Sequence, residues 1–258
     1  MLEPCRRGIK AICAALWGMV RVLVAALLVL TIVPGAAEAR QRVLVFSATK
    51  EFRHASIPAG VTAIRELGAR HAFAVTATEN ARWFTDRRLR RFAVVVFLST
   101  TGDVLDGAQQ AAFRRYIRRG GGFAGVHAAA DTEYGWDWYG RLLGARFLRH
   151  PAVQPATIRV VDRRHPSTRS LPRRWQRTDE WYDFRAQPRR GVRVLAWLDE
   201  STYAGGTMGA RHPIAWCRRF EGGRSWYTAL GHTEASYAEP RFRAHLLGGI
   251  RWAAGGQG

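Results

Sequence analysis

The chain has 258 residues, 47% of them apolar, with 40 basic against 20 acidic side chains and a formal charge of +20. That apolar share excludes a disordered chain, and the length suffices for a large buried core. The charge is almost all arginine, with Lys10 and Lys50 the only lysines, and it is scattered as pairs such as Arg87-Arg88 and Arg118-Arg119 without interleaved aromatics; a solvated basic surface is expected and nucleic acid is not an expected partner.

Residues 1–39 read as a secretory signal. Arg6, Arg7 and Lys10 open it, Val22 to Val33 form its apolar run, and Ala37-Glu38-Ala39 supply a cleavage site. The run falls short of the ~20 residues that span a bilayer. Cleavage near Ala39 would export the remaining domain, residues 40–258, to the periplasm or the exterior; only an uncleaved signal would hold it at a membrane. Cys5 and Cys13 leave with the signal, so Cys217 has no partner for an internal disulfide.

Beyond the signal, Val43 to Phe46 is a short apolar run that predicts a buried parallel strand, and Ile57 to Leu67 a helix. A second strand is expected at Phe73 to Thr76, a cap at Thr85, and the clearest strand at Ala93 to Leu98. "DGAQQAAFRRYIRRGGG" predicts a helix, with Ala112, Phe113, Tyr116 and Ile117 at helical spacing and glycines to stop it. Phe123 to Val126 is the next strand, and "EYGWDWYGRLLGARF" reads as helical. Strands alternating with helices imply a mostly parallel sheet with helices on both faces. After Pro151, "AVQPATIRVVD", "VRVLAWLDE", "HPIAWCRRF" and "RSWYTALGH" read as strands with little helix between them, a partly antiparallel extension. A terminal helix, "EPRFRAHLLGGIRWAAG", completes one α/β domain.

Ligands of open parallel sheets bind beyond the carboxyl ends of the strands. The first strand leads to Lys50, Glu51, Arg53 and His54, the third to Ser99 through Asp103, the fourth to His127 and Asp131, and a late one to Gly231-His232. In "GGGFAGVHAAADT" a strand delivers His127 into a turn of small residues, where many α/β enzymes present a nucleophile. Each residue also has a plain structural reading. His54 could cap a helix, and His127 could be buried against backbone. His71 and His245 lie on predicted helices as structural groups. His150 and His165 precede prolines in exposed loops, although His150 could reach the site. Pro213 extends the backbone at His212, which could serve the site or packing. Of the carboxylates in "TDEWYDF", Glu180 is expected in the site, with Asp179 and Asp183 as a cap and a solvated charge.

Together "FRH", "GGGFAGVHAAADT", "DEWYDF" and "HPIAWCRRFEGGRSWYTALGH" resemble the ThuA-like (trehalose utilisation) family over Val43 to Trp252. The resemblance implies a flavodoxin-like fold similar to class I glutamine amidotransferases, and a role in sugar catabolism often linked with 3-keto disaccharides and glycosides. Those amidotransferases place a cysteine at the elbow. With His127 there and Cys217 in a strand, thiol acyl transfer is excluded.

Three functions remain open. In the first, an exported enzyme acts on a small carbohydrate, a sugar or 3-keto-glycoside, as a hydrolase, lyase or isomerase. His127 and His232 are its acid/base groups and Glu180 orients one of them; Arg53, His54, Asp131 and His212 bind substrate, and Trp136, Trp138, Trp181 or Tyr182 could stack on a sugar face. No cofactor is required. A divalent metal held by the histidines and a carboxylate is a variant, although no H-x-x-x-H or H-E-x-x-H spacing marks one. The second function is a non-catalytic glycan-binding protein of the cell envelope, and the third holds an anionic polymer by charge.

Overall fold

The computed structural model describes residues 41–256; the segment read as a signal lies outside them. β1 (Arg42–Phe46), α1 (Ile57–Arg70), β2 (Ala74–Thr78), α2 (Asp86–Leu89), β3 (Val94–Leu98), α3 (Gly107–Arg118) and β4 (Gly122–Val126) alternate as expected. Then come α4 (Asp137–Leu143), β5 (Phe147–Arg149), β6 (Gln154–Val160), β7 (Arg174–Asp179), β8 (Asp183–Phe184), β9 (Arg193–Asp199), β10 (His212–Phe220) and β11 (Gly223–Thr228), with α5 (Glu234–Ala238) and α6 (Pro240–Ala253) last.

Nine strands form one sheet in the order β2-β1-β3-β4-β11-β10-β9-β6-β7. The first five run parallel, with Thr228 beside Val126 and Leu98 also beside Val126. β10, β9, β6 and β7 continue it antiparallel. The apolar runs of β1, β3 and β4 are buried throughout, as strands covered on both faces must be. On one face Phe46, Phe84, Phe97, Phe113 and Phe123 form a ring cluster, with Phe97 and Phe113 stacked at 5.4 Å. On the other, α6 meets β11 through glycine. A Cβ at Gly249 would lie 2.3 Å from the Trp226 ring, so only glycine lets the helix come so close.

The helix starts follow the sequence. Thr85 accepts from the Arg88 amide, and Asp106 with Gln109 closes a reciprocal capping box before α3. The long helix expected from Glu133 to Phe147 is cut to α4, because Gly144 at φ 112° turns the chain out. Phe147–Arg149 then pairs with Asp183–Phe184 as a separate two-stranded ribbon. β7 was not expected. Its outward residues Arg174, Gln176 and Thr178 are exposed, while Trp175, Arg177 and Asp179 face inward.

His165 is a correction. It is 1% exposed, lies 5.1 Å from the Trp252 ring, and bonds Ser167 Oγ through Nδ1 at 2.8 Å. His245 is buried in α6, where its Nδ1–H donates to the Ser167 carbonyl. Burial pushes His165 down to about 4 and His245 to about 3. The unfolded chain takes these protons near pH 6.5 and the fold resists them until far lower pH. Stability is therefore complete above pH 6.5 and falls as the pH drops toward 4, by on the order of 3 kcal/mol for His165 alone. Urea midpoints should decline over that window and decline less in His165→Asn; a flat profile would show that neither histidine resists protonation.

Candidate active site

Three strand ends build the site. β1 runs into the loop that carries His54 just before α1. β4 ends at Val126 and hands on to His127, whose φ of 51° places it in the left-handed region at the mouth of a 3-10 turn, His127–Asp131. That strained turn sets the ring against the Ala229 carbonyl. β11 ends at Thr228, and Gly231 at φ 109° turns the chain that carries His232. From the antiparallel extension, β7 ends at Asp179 and delivers Glu180.

The His127 ring is the hub. Its Nδ1–H donates to the Ala229 carbonyl at 2.8 Å, since a peptide oxygen can only accept. Nε2 is thereby turned into the cluster, 3.1 Å from His54 Nε2 and 3.2 Å from His232 Nδ1. The Tyr182 hydroxyl donates to the same atom at 3.1 Å, and the two rings lie 4.4 Å apart. Glu180 Oε2 is 3.4 Å from His127 Nε2 and 3.2 Å from His232 Nδ1; Oε1 is 3.1 Å from Nδ1 of His150. Lone pairs this close repel unless protons or a cation lie between them.

The electrostatics are divided. Burial pushes His54 down to about 3, with the neighbouring His127 and His232 adding to it. The hydrogen bond to Glu180 raises His232 against the cost of burial. Burial alone would raise the Glu180 carboxyl, but the adjacent His127 and His232 imidazoles outweigh it and hold it well below the usual carboxylate range. Burial and the Glu180 contact thus shift two neighbouring imidazoles in opposite directions beside one carboxylate.

Of the residues predicted for the site, His54, His127, Glu180 and His232 come together, and His150 reaches Glu180 from the half-exposed rim. Asp131 closes the His127 turn and accepts the Tyr134 hydroxyl at 2.8 Å; burial raises its carboxyl. Arg53 stands apart, paired with Glu79 at 2.6 Å. His212 belongs to a second group, with Nδ1 2.8 Å from Glu200 and Nε2–H donating to the Tyr182 carbonyl. It therefore steadies the segment that carries Tyr182. Both Asp179 and Asp183 are fully buried, so the solvated charge expected of Asp183 is a correction. Asp179 accepts from the amides of Gly231 and His232, and Asp183 from the Thr207 hydroxyl. Trp138, Trp181 and Tyr182 are buried and present no free face to a sugar, whereas Phe52 is 65% exposed and sits 4.8 Å from the His54 ring. Phe52 was missed; its place inside "FRH" was the available signal.

Among the described residues two groups have atoms placed to hold a cation: His54, His127, Glu180 and His232, and Asp183, Glu200 and His212. In the first, four of the six separations among the donor atoms, 3.1 to 3.4 Å, lie near the ~3.3 Å that coordination at 2.0–2.1 Å requires. The carbonyl that fixes the His127 tautomer is the kind of partner that orients metal-binding imidazoles.

A flavodoxin-like parallel sheet with an imidazole cluster at its elbow defines a glutamine-amidotransferase-like α/β protein without the thiol. Within that class the chain belongs to the ThuA, trehalose utilisation, family, whose model matches residues 42–253. Membership associates it with carbohydrate utilisation. Among solved structures it is similar to a ThuA-like protein from Bacteroides uniformis, at 24% identity and a TM-score of 0.72, with 83% of this chain and 91% of that one covered. A ThuA-like protein from Parabacteroides merdae follows at 20% identity and 0.69, covering 83% and 90%. A cytoplasmic protein from Salmonella typhimurium gives 10% identity and 0.59, covering 82% and 98%. These likenesses are of fold. No curated protein matches the chain in sequence.

Proposed function

We propose that the chain is an exported enzyme acting on a small carbohydrate, a 3-keto-glycoside, through the His54–His127–Glu180–His232 cluster. The observation that carries this reading is the convergence of three imidazoles and one carboxylate, within 4.8 Å of one another, at the carboxyl end of the parallel strands. A keto group at C3 acidifies the C2 proton. His127 Nε2 takes that proton as the base, and protonated His232, whose hold on its proton Glu180 strengthens, gives one to the glycosidic oxygen as the C1–O bond breaks and C1=C2 forms. Phe52 offers the sugar an apolar face at the entrance.

The short donor separations favour a second reading, in which these groups would hold a divalent cation that, with a position left open to substrate, would polarise the keto oxygen. Both are tested together. The protein is purified without a histidine tag, assayed for bound metal, and incubated with 3-keto-glucosides in deuterated water while the sugars are followed by NMR. Turnover or exchange at C2 is expected. Persistence of activity in chelator selects the first reading, and stoichiometric metal with loss in chelator selects the second. Absence of both exchange and turnover for every 3-keto sugar overturns the proposal and leaves glycan binding.

A further inference from the structure

The opposite end of the sheet carries a second feature, unrelated to the imidazole cluster. Where β10 ends and β11 begins, an open cleft of about 590 Å³ is lined by Arg164, Arg193, Arg219, Arg224 and Trp252, with Cys217 at its base. Burial raises the Cys217 thiol to about 12, so it is an inert wall. Arg193 is paired with Asp162. Glu221, in the turn between the strands, is taken by Arg118 and by the Trp138 indole N–H. Among the described residues Arg164, Arg219 and Arg224 form no ion pair.

The strand register makes this arrangement costly. Arg219 lies directly across from Arg224 in the antiparallel pair, and like charges in that relation destabilise a sheet. The same sheet contains a solved version of the problem. Arg159 lies across from Arg174 between β6 and β7, and there Asp199 bridges them, at 2.7 Å and 3.6 Å. Arg219 and Arg224 have no such carboxylate. Arg224 is nonetheless held in place, 5.7 Å from the Trp252 ring and donating to the Trp252 carbonyl at 3.0 Å. A guanidinium fork held as Arg224 is, with a second beside it, matches the oxygens of phosphate or sulfate.

We propose that this cleft binds a multivalent oxyanion, a phosphate or sulfate carried on a small molecule or a lipid headgroup, which bridges Arg219 and Arg224 as Asp199 bridges Arg159 and Arg174. The test uses the full chain at low ionic strength. Pyrophosphate is titrated calorimetrically, and vesicles of phosphatidylglycerol in phosphatidylcholine are co-sedimented. Wild type is compared with R219Q/R224Q and with a charge-matched control, R87Q/R91Q, on exposed residues. The wild type and the control should bind alike, and R219Q/R224Q at least about tenfold more weakly. The arm that responds identifies the source: pyrophosphate a free anion, vesicles a headgroup. Removing the opposed charges should also leave the ligand-free melting temperature no lower than wild type. If losing Arg224 unfolds the protein, Arg219→Gln alone, at an exposed position, carries the comparison. Equal weakening in both double variants, or no binding of either probe by wild type, overturns the proposal.

Discussion

Replacing His127 with asparagine should give a folded protein that turns over 3-keto-glucosides about 10³-fold more slowly. Asparagine suits the test because it tolerates the left-handed backbone that His127 occupies at φ 51°. Alanine would add strain at that turn to the loss of the ring. The imidazole matters because four groups, His54, His232, Tyr182 and Glu180, address its Nε2 atom. Removing it leaves Glu180 paired with His232 and His150, so the carboxylate is not stranded and the melting temperature should fall by only a few degrees. Under the cation reading the same variant also loses its bound metal, which separates the two chemistries in one protein. Full activity in a folded His127→Asn would move the reaction away from the elbow.

The elbow was legible because its signals are local. An apolar run, small residues and a histidine are contiguous in "GFAGVHAAAD", and β1, β3 and β4 are short apolar segments whose burial follows from composition. The partners of His127 were legible only in part. His54 and His232 follow strands whose carboxyl ends point the same way, so topology alone brought them to one place. What it could not give was their separation, which decides between hydroxyl binding, acid/base work and ligation; His54 was read as a hydroxyl-binding group and lies in the cluster itself. His212 looked equivalent in sequence. It opens β10, an antiparallel strand, so it sits beside Glu200 and supports Tyr182 from behind.

The second failure has one physical cause. The segment "RWQRTDEWYDF" is rich in charge and carries no apolar run to mark a strand, yet its period of two puts Trp175, Arg177 and Asp179 on one inward face. Charges on that face must be paired, and they are. The same rule misled the reading of His165, where a neighbouring proline suggested exposure and the ring instead packs against Trp252. Polarity says which residues prefer water. It does not say which are compensated when buried.

Asp179 is where that buried pairing and the site meet, and Asp179→Asn should be the most damaging conservative change in the chain. The carboxylate is fully buried and lies 3.1 Å from the Arg177 guanidinium, which is itself 4% exposed and packed between Trp175 and Phe242. Neutralising it leaves Arg177 with the Ser236 hydroxyl and with Glu239 as its one carboxylate, at 3.2 Å on the other nitrogen. The expected cost is about 3–5 kcal/mol, the range for stranding one member of a buried pair. For a domain of this size that lowers the melting temperature by on the order of 10 °C. The asparagine amide must also turn one N–H toward an amide that Asp179 now accepts from, Gly231 or His232, at 2.9 Å and 3.0 Å. Those amides set the bend that swings His232 into the cluster, so kcat should fall more than KM rises even well below the melting point. Arg177→Met in the same chain removes the stranded charge and should recover part of the stability without restoring kcat. That split distinguishes a residue that positions His232 from one that only holds the fold together. If the double variant regained full activity, the Asp179 contacts to the 231–232 backbone would have no catalytic consequence, and the placement of His232 would rest on Glu180 alone.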